Sequence, residues 1–213
     1  MVSVLEPAWR FWSESGEIPL SSRCGRCFSR GDAIPLDGDG LWQVGQGIVQ
    51  LSMCHPTGEE VLVGLAGPTA PFGLCFTSLA AYQAKALSDV YLLWFSMKEL
   101  ETSAHLAQHL LPQVIRRLQQ SEAMLSISAG PRRVEDRLRY LLGLLVREIG
   151  ERSPEGHRLA VRLTHQSLAS AIGTSRVTCT RLLGKFQRLG WVGLDRERHL
   201  VITPLLPLGT VEC

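Results

Sequence analysis

The stretch that most constrains this chain runs from Leu163 to Ile202, LTHQSLASAIGTSRVTCTRLLGKFQRLGWVGLDRERHLVI. Thr164 can cap a helix in which Leu168 and Ile172 fall one turn apart on the buried face, and the small Ala169 and Ala171 let a neighbour approach. Gly173 supplies a turn. Thr174 or Ser175 then caps a second helix, with Cys179, Leu182, Leu183, Phe186 and Leu189 along one side and Val177, Thr180, Arg181, Lys185 and Arg188 along the other. Trp191 to Leu194 and His199 to Ile202 read as two short apolar strands around the polar tip Asp195, Arg196, Glu197 and Arg198. Two helices joined by a glycine turn, the second exposing cations, with a hairpin behind it, have the geometry that enters a DNA major groove. The same spacing also describes an ordinary helical hairpin with a solvated basic face.

Charge is distributed as this reading requires. Residues 1–130 hold 8 Lys+Arg against 12 Asp+Glu, and residues 131–213 hold 14 against 8, so the two parts carry −4 and +6. A basic back half suits a polyanion, because phosphate neutralisation drives most nonspecific DNA affinity. A length of 213 residues suits two domains of ordinary size. No apolar run approaches the ~18 residues that span a bilayer, and Met1 to Arg10 lacks the order of a secretory signal. The chain is therefore expected in the cytoplasm without a membrane partner, and its 6 cysteines are expected to be reduced thiols.

From Arg23 to about Phe95 glycines recur at short intervals between strand-like runs. Leu41 to Val44, Ile48 to Met53, Val61 to Leu65 and Val90 to Phe95 are each bounded by turn residues, and His55 to Gly58 reads as a hairpin turn. This is the pattern of an antiparallel β-roll, of jelly-roll type, within an α+β protein. A metal-dependent barrel enzyme needs several His and carboxylate ligands, and His55 is the only histidine before residue 100. Neither a phosphate loop, a paired-His helix motif nor a Gly-x-Ser-x-Gly elbow is present. No catalytic residues are assigned, and an enzyme is not expected.

Between these halves, Pro112 is tolerated in the first turn of a helix that continues to about Ser128. Leu111, Val114, Leu118, Ser121 and Leu125 are spaced three, four, three and four apart, the seam by which two helices pair; a helix lying on its own roll is the other reading. Gly130-Pro131 ends it and supplies a hinge. A second helix follows over Arg132 to Ile149, then a turn-rich loop from Gly150 to Gly156 and a short strand over Leu159 to Leu163. The expected divisions are 1–102 for the roll, 103–130 for the dimerisation helix and hinge, and 131–213 for a winged helix-turn-helix.

The segment Leu163 to Ile202 resembles the winged helix-turn-helix of the cyclic-AMP-receptor and fumarate-nitrate-reductase superfamily of bacterial transcription regulators. Within it, Ser175 to Gly184 is similar to the recognition helix of the global nitrogen regulators of cyanobacteria. Gly31-Asp32, Gly45 to Val49, Gly58-Glu59 and Phe72-Gly73 stand where the superfamily's effector-binding roll carries similar turns. The resemblance implies a homodimer, double-stranded DNA as ligand and RNA polymerase as a partner. It makes Arg176 and Arg181 the groove-reading arginines, suited to guanine O6 and N7. Val177 stands where cyclic-AMP receptors carry glutamate, and it can pack on a thymine methyl, which implies GTA and TAC half-sites rather than TGTGA. Thr164, Gln166, Ser175, Thr178 and Lys185 are the expected phosphate or positioning contacts, and Thr174 and Thr180 are further expected DNA-binding residues.

For the effector, the Glu and Arg of the cyclic-nucleotide cassette are missing from Phe72-Gly73-Leu74-Cys75 and from Tyr82-Gln83-Ala84-Lys85-Ala86. Lys85 offers only a point charge in their place. The nitrogen regulators bind 2-oxoglutarate, and the resemblance assigns to that ligand the backbone turn Phe72, Gly73, Leu74 and Cys75 with Arg117 and Glu122 of the long helix. Ala80 stands where that family has a second arginine. Three inputs stay open: 2-oxoglutarate or another small metabolite, no ligand, or a redox signal. The last would use Cys24 and Cys27, with Cys54 and Cys75, as an iron-sulfur or zinc set like that of the oxygen-sensing cousins.

Overall fold

The structure is a computed structural model in which residues 25–56 and 58–207 are described. The chain divides into two compact units, Met1–Leu51 with Leu65–Leu118, and Ser52–Gly64 with Gln119–Cys213. No helix among the described residues is long and apolar enough to cross a membrane.

The roll is built from β1 (Arg26–Phe28), β2 (Ala33–Ile34), β3 (Gly40–Gln46), β4 (Val49–Cys54), β5 (Glu60–Ala66), β6 (Pro71–Phe72), β7 (Tyr82–Ala86) and β8 (Val90–Ser96). Its two four-stranded sheets run in the orders β1-β8-β3-β6 and β2-β7-β4-β5. Three of the four predicted runs fall within observed strands, and the fourth, Ile48 to Met53, overlaps β4 from Val49 onward. Leu41 pairs with Phe95, Trp42 with Trp94 and Gln43 with Leu93. Trp42 is buried; its indole N–H donates to the Pro35 carbonyl at 2.9 Å, and its ring meets that of Trp94 edge-on at 4.9 Å. On β7 the pleat buries Tyr82, Ala84 and Ala86 and exposes Gln83 and Lys85.

Helix α1 (Met97–Thr102) opens with a capping box between Ser96 and Glu99. Helix α2 (Ala104–Ala129) begins well before the expected start, so Pro112 lies inside it rather than in its first turn. Burial outweighs the proline here. Leu106 and Leu110 pack with Leu41, Leu93 and Phe95 of the roll, which stabilises the first turns despite the backbone hydrogen bond that Pro112 cannot make. The Ser103 hydroxyl accepts from the Leu106 N–H at 3.3 Å and closes the helix start.

The second unit holds α3 (Val134–Ile149), β9 (Gly150–Ser153), β10 (Gly156–Leu159), α4 (His165–Ala171), α5 (Arg176–Arg188), β11 (Val192–Leu194) and β12 (Leu200–Ile202). On α3, Leu138, Leu141, Leu142, Leu144, Leu145 and Ile149 are buried, the period of an amphipathic helix. The expected loop over Gly150 to Gly156 is a β-hairpin instead, and the strand predicted at Leu159 to Leu163 ends at Leu159. Pairing of His157 with Ile202 and of Arg158 with Val201 supplies a ladder that local composition does not reveal. The sheet runs β11-β12-β10-β9.

Candidate nucleic-acid interface and ligand cluster

Helix α4 starts on Thr164, whose hydroxyl accepts from the Ser167 N–H at 3.0 Å. Gly173 then turns the chain with φ +60 and open space where a Cβ would sit, so conformation rather than crowding calls for glycine. Ser175, and not Thr174, caps α5 by accepting from the Thr178 N–H at 3.2 Å. Cys179, Leu183 and Phe186 anchor α5 from below. Phe186 packs on Trp191 with ring centroids 5.3 Å apart. Leu182 is only half-buried and Leu189 is exposed, so the apolar face is narrower than expected.

Arg176, Val177 and Arg181 stand on the open side of α5, with Val177 at 77% exposure. Neither arginine has an ion-pair partner among the described residues. Val177 is thus an open aliphatic side chain on the helix face that carries the two arginines. Other predicted contacts are already engaged within the unit. Lys185 pairs with Glu135 of α3 at 2.7 Å. The Thr180 hydroxyl meets His165 Nδ1 at 2.8 Å. The Ser175 hydroxyl donates to Thr178 at 3.0 Å. Thr164 and Gln166 are exposed, and Thr174 is half-buried. Neither His165 nor Glu135 carries a spacing signal, because each meets α5 only through the tertiary packing of neighbouring helices.

Behind α5, Arg158 of β10 ties down the β11–β12 wing. Its Nε donates to Asp195 at 2.6 Å and its other nitrogens to Glu151 at 3.1 Å and Glu197 at 2.7 Å. Asp195 also accepts the His199 N–H at 2.7 Å. The Arg158 hydrogen bond is the main reason the Asp195 carboxyl is lowered to about 2. Arg198 adopts φ 64 at the wing turn, a left-handed position where a side chain is strained. Asp195, Glu197 and His199 are close enough together to hold a cation, and the Arg158 guanidinium already fills that role.

In the roll, Gly73 is closely packed: a Cβ there would lie 3.1 Å from the Gly40 carbonyl and 3.3 Å from the Leu41 Cα, so a side chain would push these neighbours by a few tenths of an ångström. Phe72 is buried, and Leu74 and Cys75 lie in the short 3-10 turn that follows. Tyr82 is 9% exposed and accepts a hydrogen bond from Arg117. Burial pushes its hydroxyl above the usual tyrosine range, while Arg117 pulls it partly back. Cys75 lies close enough to influence Tyr82, and burial raises its own thiol. Arg117 is thus engaged by Tyr82, which spacing did not single out. Lys85 does not join them, since strand parity turns it to the exposed face opposite Tyr82. Glu122 is exposed on α2.

At about 100° per residue, Leu106, Leu110, Gln113 and Arg117 share one stripe of α2. Leu106 and Leu110 pack on the roll, Gln113 accepts from the Thr69 hydroxyl at 3.1 Å, and Arg117 donates to Tyr82. About 140° away runs a second stripe of Leu111, Ile115, Leu118 and Leu125, all exposed, with Glu122 in line. Ile115 takes the place expected of Val114, which is half-buried, and Ser121 is exposed beside the stripe.

Of the proposed redox set, Cys24 lies outside the described residues, and Cys27, Cys54 and Cys75 are free thiols. No group of three metal-ligating side chains among the described residues includes a cysteine.

A glycine-turned helix pair with an unpaired basic recognition face, backed by a pinned wing, defines a winged helix-turn-helix DNA-binding protein. Residues 137–205 match the Crp-like helix-turn-helix domain. The chain is 32% identical over 203 residues to a global nitrogen regulator of Synechococcus elongatus, covering 90% of each. It is 31% identical to the regulatory protein CysR of the same organism, over 79% of each. A transcriptional regulator of the CRP/FNR family from Thermus thermophilus shares its fold, with a TM-score of 0.70 at 23% identity over 87% of this chain and 96% of that one. The chain belongs to the CRP/FNR family of transcription regulators, and it is a DNA-binding regulator rather than an enzyme.

Proposed function

We propose that the protein works as a cytoplasmic homodimer that reads a GTA-N8-TAC-like palindrome and acts with RNA polymerase. Its activity is set by a small metabolite such as 2-oxoglutarate, or is independent of ligand. The observation that carries this reading is the open face of α5. Val177 and Arg181 lie one turn apart and Arg176 is the first helical residue. An arginine fork suits guanine, and valine suits a thymine methyl but accepts nothing from cytosine N4. The exposed stripe Leu111, Ile115, Leu118 and Leu125 is offered to the same stripe of a second copy, since its four, three and seven spacing is a heptad seam. Residues 1–102 then serve as input, 103–130 as the dimer helix and hinge, and 131–213 as output.

Fluorescence anisotropy on a GTA-N8-TAC duplex, a TGTGA duplex and a scrambled duplex, at several salt concentrations, tests the reading. The expected result is preference for the first with a steep salt slope. Preference for TGTGA sinks the half-site assignment, and a flat salt slope sinks the DNA interface. Sedimentation of Leu118→Asp, expected to be monomeric at concentrations where the parent is dimeric, tests the seam.

A further inference from the structure

Thr180 lies on α5 between Val177 and Arg181 and is exposed like both, yet its hydroxyl is held from outside the helix. It sits 2.8 Å from Nδ1 of His165, the first residue of α4. A threonine inside a helix ordinarily divides between two rotamers, because its hydroxyl can turn back to a carbonyl one turn earlier. Among the described residues Thr180 makes no such bond to its own helix. The tie to α4 is compatible with either imidazole tautomer and with imidazolium, since a hydroxyl both donates and accepts. A neighbouring helix therefore selects the rotamer at a position where burial does not. With the hydroxyl committed to His165, Thr180 has chiefly its methyl group to offer a partner. Val177, three residues earlier on the same helix face, offers methyls beside it. A GTA half-site holds one thymine on each strand, so it presents two 5-methyl groups to the major groove.

We infer that His165 is a positioning residue for base reading: it holds the Thr180 hydroxyl on α4, so that Thr180 and Val177 take one thymine methyl each within a half-site. This rests on α5 being the groove-reading helix and on GTA half-sites. His165 thus sets what is read at one base pair without itself touching a base. Without the tie, the Thr180 side chain is free to turn its hydroxyl to the groove, and the methyl contact is kept for only part of the time. Burial of one methyl is worth about fourfold in affinity, which is the size of the effect to be sought.

The test measures anisotropy of the full chain on the GTA-N8-TAC duplex and on two duplexes in which one thymine of one half-site is replaced by deoxyuridine. That replacement removes the methyl and leaves the hydrogen-bonding edge of the base intact. Wild type is expected to bind each uracil duplex about fourfold more weakly than the thymine duplex. His165→Ala, checked for folding by its melting temperature, should abolish the thymine-to-uracil ratio at one of the two positions and keep it at the other. His165→Asn, whose amide stands where Nδ1 does, should restore it. Thr180→Ser keeps the hydroxyl and lacks the methyl, so it should lose the ratio at the same position, and it carries the test should His165→Ala fail to fold. In the Thr180→Val background, which presents a methyl in either rotamer, His165→Ala should no longer alter the ratio. A His165→Ala that weakens thymine and uracil duplexes equally overturns the inference, because His165 then acts on phosphate or on stability alone. A ratio that survives Thr180→Ser at both positions overturns it as well. Arg176→Ala on the same duplexes separates the two claims. If it keeps specific binding, α5 is not the reader and the DNA reading has failed, whereas its loss beside an uncoupled His165 removes only the role of His165.

Discussion

Two sets of basic side chains in the molecule differ in one respect that decides what they can do. Arg176 and Arg181 point outward with no ion-pair partner among the described residues. Arg117 is bonded to Tyr82, Arg158 to three carboxylates and Lys185 to Glu135. An engaged guanidinium must break its contacts before it can take a new anion, so its gain on binding is the difference between two partners. An unpaired one gives up only water. Exposed basic residues in one chain can thus belong to different functional classes, and pairing separates them better than position does.

The largest expected effect tests whether the open arginines depend on their support. Phe186 is fully buried beneath α5 and packs on Trp191, so Phe186→Ala should cost about 3 to 5 kcal/mol of stability. Chemical denaturation followed by tryptophan fluorescence checks it. Loss of DNA binding with unchanged stability would show that the anchor acts on recognition alone.

Next in size are the arginines themselves. Arg176→Ala and Arg181→Ala should each weaken specific binding by about 1 to 3 kcal/mol if their contacts to guanine are bidentate. Anisotropy against matched and single-base-changed half-sites reads this directly. Equal losses on matched and changed sites would place these arginines on phosphate, which carries no sequence information.

Much of the fold is legible in the amino-acid sequence, whereas the pairing of the cations is not. The helix-turn-helix is legible because caps, turn and apolar period agree over a short local span: Thr164, Gly173 and Ser175 punctuate it, and Cys179, Leu183 and Phe186 repeat at helical spacing. The roll's main strands are legible from their glycine boundaries. The unreadable parts depend on residues distant in sequence. Strand β10 needs β12 more than forty residues later, and the early start of α2 needs Leu41, Leu93 and Phe95. The partners Glu135, His165 and Tyr82 share no motif with Lys185, Thr180 and Arg117. Lys85 shows a subtler limit: its residue type suited an anion site, and strand parity alone turned it away.

Acid should act on the engaged set and spare the open one. Arg158 holds the Asp195 carboxyl at about 2 in the folded protein, against about 3.9 for an unfolded chain. A lowered folded value contributes stability that is present above the unfolded value and lost as pH falls through the folded one. The hold on the wing should therefore weaken between about pH 4 and 2. The NMR shift of the His199 amide, which donates to Asp195, should follow that titration, and Asp195→Asn should abolish it. An amide shift that moves only near pH 4 or above would mean that the Arg158 contact does not govern Asp195.

The smallest effect sharpens the comparison most, because Lys185 sits on α5 itself while belonging to the engaged class. Its pair with Glu135 is partly exposed, at 46% and 31% of the two side chains, and such pairs contribute only about 0 to 1 kcal/mol. Lys185→Ala should hardly move the melting temperature. Each phosphate neutralised adds about 0.9 to the slope of log affinity against log salt. If Lys185 stays with Glu135 on DNA, Lys185→Ala leaves that slope unchanged, and Glu135→Gln raises it by up to one such step by releasing the ammonium. If Lys185→Ala instead lowers the slope by a full step, the lysine leaves Glu135 for phosphate on binding. The boundary between engaged and open cations is then set by the ligand, and a weak surface pair holds Lys185 in reserve.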